Sequence, residues 1–352
     1  MTIRERLLTT LRGGQADRVP WSIYAWILRK TQAGQALHRR GLGLVDATPV
    51  SRTLHEQVTV HEKHYDVDGR PATRTWIETP VGVLTQETTI EPSFGSRWTV
   101  EFFIKSVQDY AAAEFFFRHT RIEPNFGPWH EANAAMGDGG IVLGGAMPAP
   151  ITHLMTDWMG VQGLTEGLYD HPDQFNALID AVSTLYARRI QLAAESPAEV
   201  IWLDDNITAT IISPDRFERY AAPMYAQALP ILRQAGKIPI NHYDGSLRPL
   251  LSCVAKAGLP VIEAFTPPPM GDLSVADAKR AWPNTMIWVN FPGCLIAEPR
   301  PVIRQYTLDL MAEGAVGGRF AIGCTEEFPF DHFEDAFTAI GQAMAEYGGY
   351  AW

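Results

Sequence analysis

Cysteine is scarce in this chain: three among 352 residues, at Cys253, Cys294 and Cys324. So sparse and odd a set builds no disulfide framework and points to a reducing compartment, so a cytoplasmic protein is expected. Positive charge is also short. Lys and Arg number 29 against 40 Asp and Glu, a net charge of −11, and no basic run interrupts that balance. Nucleic acid and anionic membrane surfaces are therefore poor partners. No apolar run reaches the ~18 residues that a membrane-spanning helix needs. The opening "MTIRERLLTTLRGG" is amphipathic without a long apolar stretch, so it reads as a helix and not as an export signal. Short repeats and low-complexity tracts are missing. So is a Gly-x-Gly-x-x-Gly segment opening a helix, the mark of a dinucleotide fold.

What remains is ordinary in bulk, with 46% apolar and 20% charged residues, enough chain to bury a sizeable core. Ten tryptophans stand out. Most suit a core, and a few suit the lining of a pocket for a flat or apolar ligand. Residues 1–18 read as a helix ending at a double glycine, and 17–26 as a strand. Residues 74–105 read as β-hairpins with turns at Gly82 and Gly95. "HEKHYD" (61–66) reads as a solvated helix whose two histidines lack the spacing of a zinc motif. From 139 onward, apolar runs alternate with amphipathic helices: strands at 139–147, 199–205, "KIPINHYD", "PVIEAF", 286–291 and 318–324, and helices at 171–196, 213–236 and beyond. Near-continuous apolar strands separated by helices make a parallel sheet covered on both faces. So many such units predict a single α/β domain over 1–352, a (β/α)8 TIM barrel with the 74–105 hairpins as an elaboration.

In such a barrel the C-terminal strand ends share one face, where chemistry collects. Here consecutive apolar runs end in Asp204-Asp205-Asn206, His242-x-Asp244, Glu263, Asn290 and Cys324. Any one of these taken alone is an ordinary cap or a satisfied strand-end polar group. Together they bring imidazole, carboxylate and thiolate, the ligand types of zinc, to one mouth.

Three segments carry a family resemblance: "RERLLTTLRGGQADRVPW", "VIWLDDNITATIISPDRFERYAAPMYAQALPIL" and "GGRFAIGCTEEFPF". They resemble the uroporphyrinogen decarboxylase superfamily, which includes corrinoid-dependent methyltransferases, and the likeness implies the same barrel. The arginine-rich segment that holds porphyrinogen carboxylates in true decarboxylases is replaced here by "YAWILRKTQAG", which sets that substrate aside. The zinc-dependent branch is similar in ligand order to cobalamin-independent methionine synthase. Here Glu263 follows Asp244 by 19 and Cys324 follows Glu263 by 61, with Asp244 where a cysteine is usual. The resemblance implies Zn2+ held by His242, Asp244, Glu263 and Cys324, and dimers are common in the superfamily, so a homodimer is compatible with it.

One sulfur and two carboxylates make a harder zinc than two sulfurs do, suited to an oxygen donor. The expected reaction is O-demethylation: a small-molecule methyl donor, a methyl ether and possibly an aromatic one, gives its methyl to a corrinoid on a partner protein, the metal assisting the leaving oxygen. No corrinoid-anchoring motif is seen, hence the separate partner. Asp204 and Asp205 are candidates to orient His242, to protonate the leaving oxygen or to hold a substrate hydroxyl, and Asn290 to bond substrate or a ligand carboxylate. Competing expectations are a thiol methyltransferase, a metal-free decarboxylase-like lyase and a non-catalytic tetrapyrrole-binding protein.

Overall fold

The computed structural model describes residues 1–28, 33–91, 95–350 and 352. They fall into two compact units. One comprises Met1–Val50, Phe126–Ala146 and Ala193–Trp352, the other Ser51–Asn125 and Met147–Leu192.

The first unit is the closed parallel barrel. Its first two strands are β1 (Trp21–Tyr24) and β2 (Leu42–Pro49). The chain leaves for the second unit, which holds β3 (Ser51–His55), β4 (Thr59–Val67), β5 (Arg70–Thr79), β6 (Gly82–Ile90), β7 (Arg97–Glu101) and β8 (Thr120–Pro124). It then returns for β9 (Gly140–Gly145), β10 (Val200–Ile207), β11 (Ile238–Tyr243), β12 (Val261–Phe265), β13 (Met286–Asn290) and β14 (Phe320–Gly323). Ring closure runs β1-β14-β13-β12-β11-β10-β9-β2. Every pairing in the ring is parallel. β12 and β13 are buried at all five positions each. Strands covered on both faces have no polar alternation, which is why these runs were continuous in the sequence.

The N-terminal helix Ile3–Leu11 starts with a reciprocal cap. The Glu5 N–H donates to Thr2 Oγ1 at 3.1 Å, and the Thr2 N–H donates to Glu5 Oε2 at 2.8 Å, which satisfies two donors that the first turn leaves free. The helix lies so close to β2 that a Cβ on Gly43 would meet Ile3 Cγ2 at 2.9 Å.

Two barrel strands are irregular where it matters. Pairing of β10 with β11 shifts between Leu203 and Ile207, and pairing of β12 with β13 shifts between Ile262 and Phe265. In each shift one non-glycine residue turns left-handed, Asn206 at φ 47° and Ala264 at φ 59°. Asparagine visits this region readily; alanine does so at a cost of about 1–2 kcal/mol. Bulges of this kind re-aim side chains next to active sites.

The second unit holds the four-stranded antiparallel sheet β4-β5-β6-β7 and the pair β3-β8. The sheet is larger than the hairpins expected over 74–105, since it begins at Thr59; residues 92–94 of that range lie outside the described residues. The "HEKHYD" segment is not a helix. It lies in β4 because the two-residue Asp68-Gly69 turn, with φ 52° and 78°, has the left-handed pair that joins antiparallel strands. His61 stacks on Trp76 at 5.0 Å and lies 3.5 Å from Glu78, a local cross-strand arrangement. The long helix expected over 171–196 is present as Pro172–Glu195. Among the described residues no helix is long and apolar enough to cross a membrane.

Candidate functional site

The C-terminal half of the barrel places its polar residues by register. His242 of β11 lies directly beside Glu263 of β12. In-register residues of parallel neighbours point to the same side, so the imidazole and the carboxylate meet. His242 Nδ1 is 2.8 Å from Glu263 Oε2, and the Tyr24 hydroxyl donates to Glu263 Oε1 at 2.7 Å. Tyr24 Oη is also 3.4 Å from His242 Nδ1. The three are buried, with exposures of 9% for His242, 1% for Glu263 and 4% for Tyr24. Both Glu263 oxygens are thus engaged, one by each partner.

The electrostatics of this chain are lopsided. Burial by itself drives the His242 imidazole toward neutrality. The Glu263 carboxylate, by charge and hydrogen bond, outweighs that together with Asp204 and Asp244, and the imidazole is lifted to about 9. Burial pushes the Asp244 carboxyl up, against the pull of His242. It also pushes up the Glu326 carboxyl, with Asp244 adding to the shift. Burial, helped by the Glu326 carboxylate, holds the Cys324 thiol far above its ordinary range, and the thiol lies 3.6 Å from the Glu326 carbonyl oxygen as its donor. Tyr24 is raised by burial first, then by Glu263, Asp204 and Cys324. One imidazolium therefore faces an excess of groups that would be anionic in water.

That imbalance is the test of fit for a divalent cation. Imidazole, thiol and carboxylates are zinc donors in kind, and a bound cation would lower every raised acid and deprotonate the thiol. In their present positions, among the described residues, no three His, Cys, Asp or Glu side chains are disposed to hold one ion. The donor set fits zinc in chemistry, with His242, Asp244, Glu263 and Cys324 as the groups that would supply it.

The sequence profile described as uroporphyrinogen decarboxylase (URO-D) matches residues 130–347, more than half of the chain. The chain belongs to the uroporphyrinogen decarboxylase family. A solved structure of a methyltransferase from Methanosarcina mazei shares the fold of this family member, with a TM-score of 0.61 and 15% identity over 99% of each chain. An L-Ala-D/L-Glu epimerase aligns at 12% identity over 86% of this chain and 84% of its own, with a TM-score of 0.25, too low to bear on the fold. No curated protein sequence matches.

Within this decarboxylase-family barrel the expected residues do different things. Asp204 and Asp205 are neighbours with separate surroundings. Asp204 acts by charge on His242 and Tyr24. Asp205 is fully buried and accepts from Asn241 Nδ2 at 2.8 Å. The partner of His242 Nδ1 is Glu263, a role expected of Asp204 or Asp205. Asn290 ends β13; its Oδ1 accepts from the Thr325 N–H at 3.0 Å, and its Nδ2 donates to Thr266 Oγ1 at 3.3 Å. It therefore pins the chain just after Cys324. Part of the segment replacing the arginine-rich motif, Arg29 to Gln32, lies outside the described residues. Two residues at the mouth, Tyr24 and Glu326, have no reading from the sequence, and Trp202 stands there only among the tryptophans of which a few suit a pocket lining. Trp202 packs edge-on to Tyr24 at 6.2 Å and to His242 at 6.0 Å, two residues before Asp204 on the same strand, so strand alternation had already placed the pair on one face.

Proposed function

We propose that this chain is a zinc-dependent methyltransferase that moves a methyl group from an oxygen-bound donor to a corrinoid carried by a partner protein. The observation that carries the reading is the convergence at one barrel mouth of the His242–Glu263–Tyr24 hydrogen-bonded chain with the raised acids Asp244 and Cys324. Membership of a decarboxylase family whose barrel is shared by a protein described as a methyltransferase supports it.

Methyl ethers are reluctant donors because an alkoxide or phenoxide leaves poorly. Bound zinc supplies Lewis acidity that offsets the charge developing on that oxygen. The chain's own residues do the rest. His242, Asp244, Glu263 and Cys324 would hold the ion. Tyr24 holds Glu263 against His242 and so fixes the orientation of the ring. Asp204 faces the same site, placed to hold a substrate hydroxyl or to pass a proton to the departing oxygen. As the methyl leaves, the C–O bonding electrons stay on oxygen and the proton closes the charge balance. Burial of the whole cluster excludes bulk water and strengthens each of these interactions.

A second reading, a metal-free lyase of the parent family, is favoured by the His242–Glu263 pair, in which imidazole and carboxylate satisfy each other directly at 2.8 Å. Metal analysis separates the two. The wild type is expected to purify with about one zinc per chain, and His242→Ala and Cys324→Ala with little. Wild type without stoichiometric zinc, after growth in zinc-replete medium, sinks the methyltransferase reading and leaves the lyase.

A further inference from the structure

The chain just past β14 is tied down on two sides. Cys324 itself is fixed from the β1 side: its N–H donates to the Ser22 carbonyl at 3.0 Å, and its carbonyl accepts from the Tyr24 N–H at 3.2 Å. Those bonds set its backbone and leave the place of the sulfur to the turn that follows. That turn is tied to the segment after β13. The Thr325 N–H donates to Asn290 Oδ1 at 3.0 Å, and the Gly293 N–H donates to Glu326 Oε1 at 2.7 Å. The Asn290 side chain adds a hydrogen bond to the Glu326 carboxylate. Cys324 Sγ in turn donates to the Glu326 carbonyl oxygen at 3.6 Å, and the cysteine is only 1% exposed.

Gly293 is the neighbour that this arrangement needs. It does not have a positive φ, so its missing side chain serves space and not backbone freedom. A Cβ there would meet Glu326 Oε1 at 2.7 Å, inside contact distance. A carboxylate that accepts a backbone N–H makes one of the stronger hydrogen bonds open to a loop. We infer that Glu326 is a positioning residue: its carboxylate clasps Gly293, folds the turn after β14 over Cys324 and keeps the sulfur buried for the metal. The inference rests on the zinc reading above and adds to it a residue that acts through Cys324 without touching the ion. Partners that hold a metal ligand in place are worth about 10- to 100-fold in metal affinity.

Alkylation of Cys324 by iodoacetamide in the metal-free protein, located by peptide mass mapping, reads the clasp without zinc. Glu326→Ala should speed it about 10-fold, because the turn opens more often once its anchor is lost. Glu326→Gln drops the charge but keeps an acceptor oxygen for the Gly293 N–H; it should stay within about 3-fold of wild type. Gly293→Ala keeps the charge and displaces the carboxylate, and should speed alkylation as Glu326→Ala does. Cys253, buried on the helix Leu251–Ala257, should react at one rate throughout, which marks the fold as intact. Equal Cys324 rates in wild type and Glu326→Ala overturn the clasp. Glu326→Gln as fast as Glu326→Ala places the effect in the charge and overturns it too. Zinc competition titration gives the second readout: affinity should fall about 10- to 100-fold in Glu326→Ala and Gly293→Ala and hold in Glu326→Gln. Zinc bound by Glu326→Ala as tightly as by wild type overturns the positioning role, and zinc lost equally from Glu326→Gln overturns it by making the carboxylate a ligand. A wild type that takes up no zinc fails the metal reading instead, and that failure shows before any variant is compared.

Discussion

Two charged pairs in the barrel unit look alike on paper and behave differently. Arg6 grips Asp17 with two hydrogen bonds, Nε to Oδ1 at 2.6 Å and Nη2 to Oδ2 at 2.9 Å. His242 meets Glu263 at 2.8 Å. The first pair is balanced and half in water, with side-chain exposures of 7% for Arg6 and 43% for Asp17. It ties the first helix to the segment leading into β1. The second is nearly dry, at 11% and 1%, and sits among more acids than it can neutralise. A balanced pair is a structural fastener. An unbalanced, buried one is where a further charge would be stabilised, and on the proposed reading that is where the function sits.

Breaking the pairs should separate them. Glu263→Gln leaves a buried imidazole without its carboxylate, so a loss of about 3–5 kcal/mol is expected in chemical denaturation of the metal-free protein, with zinc affinity down at least about tenfold. Tyr24→Phe removes only one hydrogen bond to Glu263. A loss of about 1–2 kcal/mol is expected, and methyl transfer should fall more than stability does, because the ring of His242 loses its fixed orientation. Asp17→Asn should cost about 1 kcal/mol or less, since solvent and salt screen an exposed carboxylate, and zinc content should not change. If Asp17→Asn weakened zinc as much as Glu263→Gln, the comparison would collapse.

The fastener has a pH signature with a definite sign. Arg6, by hydrogen bond and charge, holds the Asp17 carboxyl down to about 2 against the raising effect of burial, from 3.8. A depressed carboxyl stabilises the fold above its unfolded value and loses that contribution as pH falls through the folded one. The difference in stability between wild type and Asp17→Asn should therefore be full at pH 5 and above and shrink between about pH 4 and pH 2. A difference that stays constant down to pH 2 would place the effect outside the ion pair. The smallest expected effect is at the β12 bulge. Ala264→Gly relieves a left-handed alanine and should raise stability by about 0.5–1 kcal/mol, read as a higher melting temperature.

Much of the barrel was legible because its later strands are buried on both faces and announce themselves as apolar runs. β2, with Asp46 and Thr48 among its residues, is less continuous and does not announce itself as a strand. The "HEKHYD" strand reads as a helix because charged residues dominate it and only the following Asp-Gly turn betrays it. At the mouth, strand-end His242, Glu263 and Cys324 were visible as interruptions of apolar runs. Tyr24 was not, since a tyrosine in a buried strand looks like core, and its partner Glu263 stands 239 positions away. The bulges that aim Asp204 and Glu263 were equally hidden, because Asn206 and Ala264 carry no glycine to mark them.

The central claim is that the acid-rich mouth is completed by a metal that draws on the Cys324 sulfur. X-ray absorption at the zinc edge of the purified wild type, beside Cys324→Ser, tests it directly. The account predicts one sulfur at about 2.3 Å with nitrogen and oxygen neighbours at about 2.0–2.2 Å, and loss of the sulfur signal in the variant. A wild-type shell of nitrogen and oxygen alone would contradict it, as would a sulfur signal that survives in Cys324→Ser.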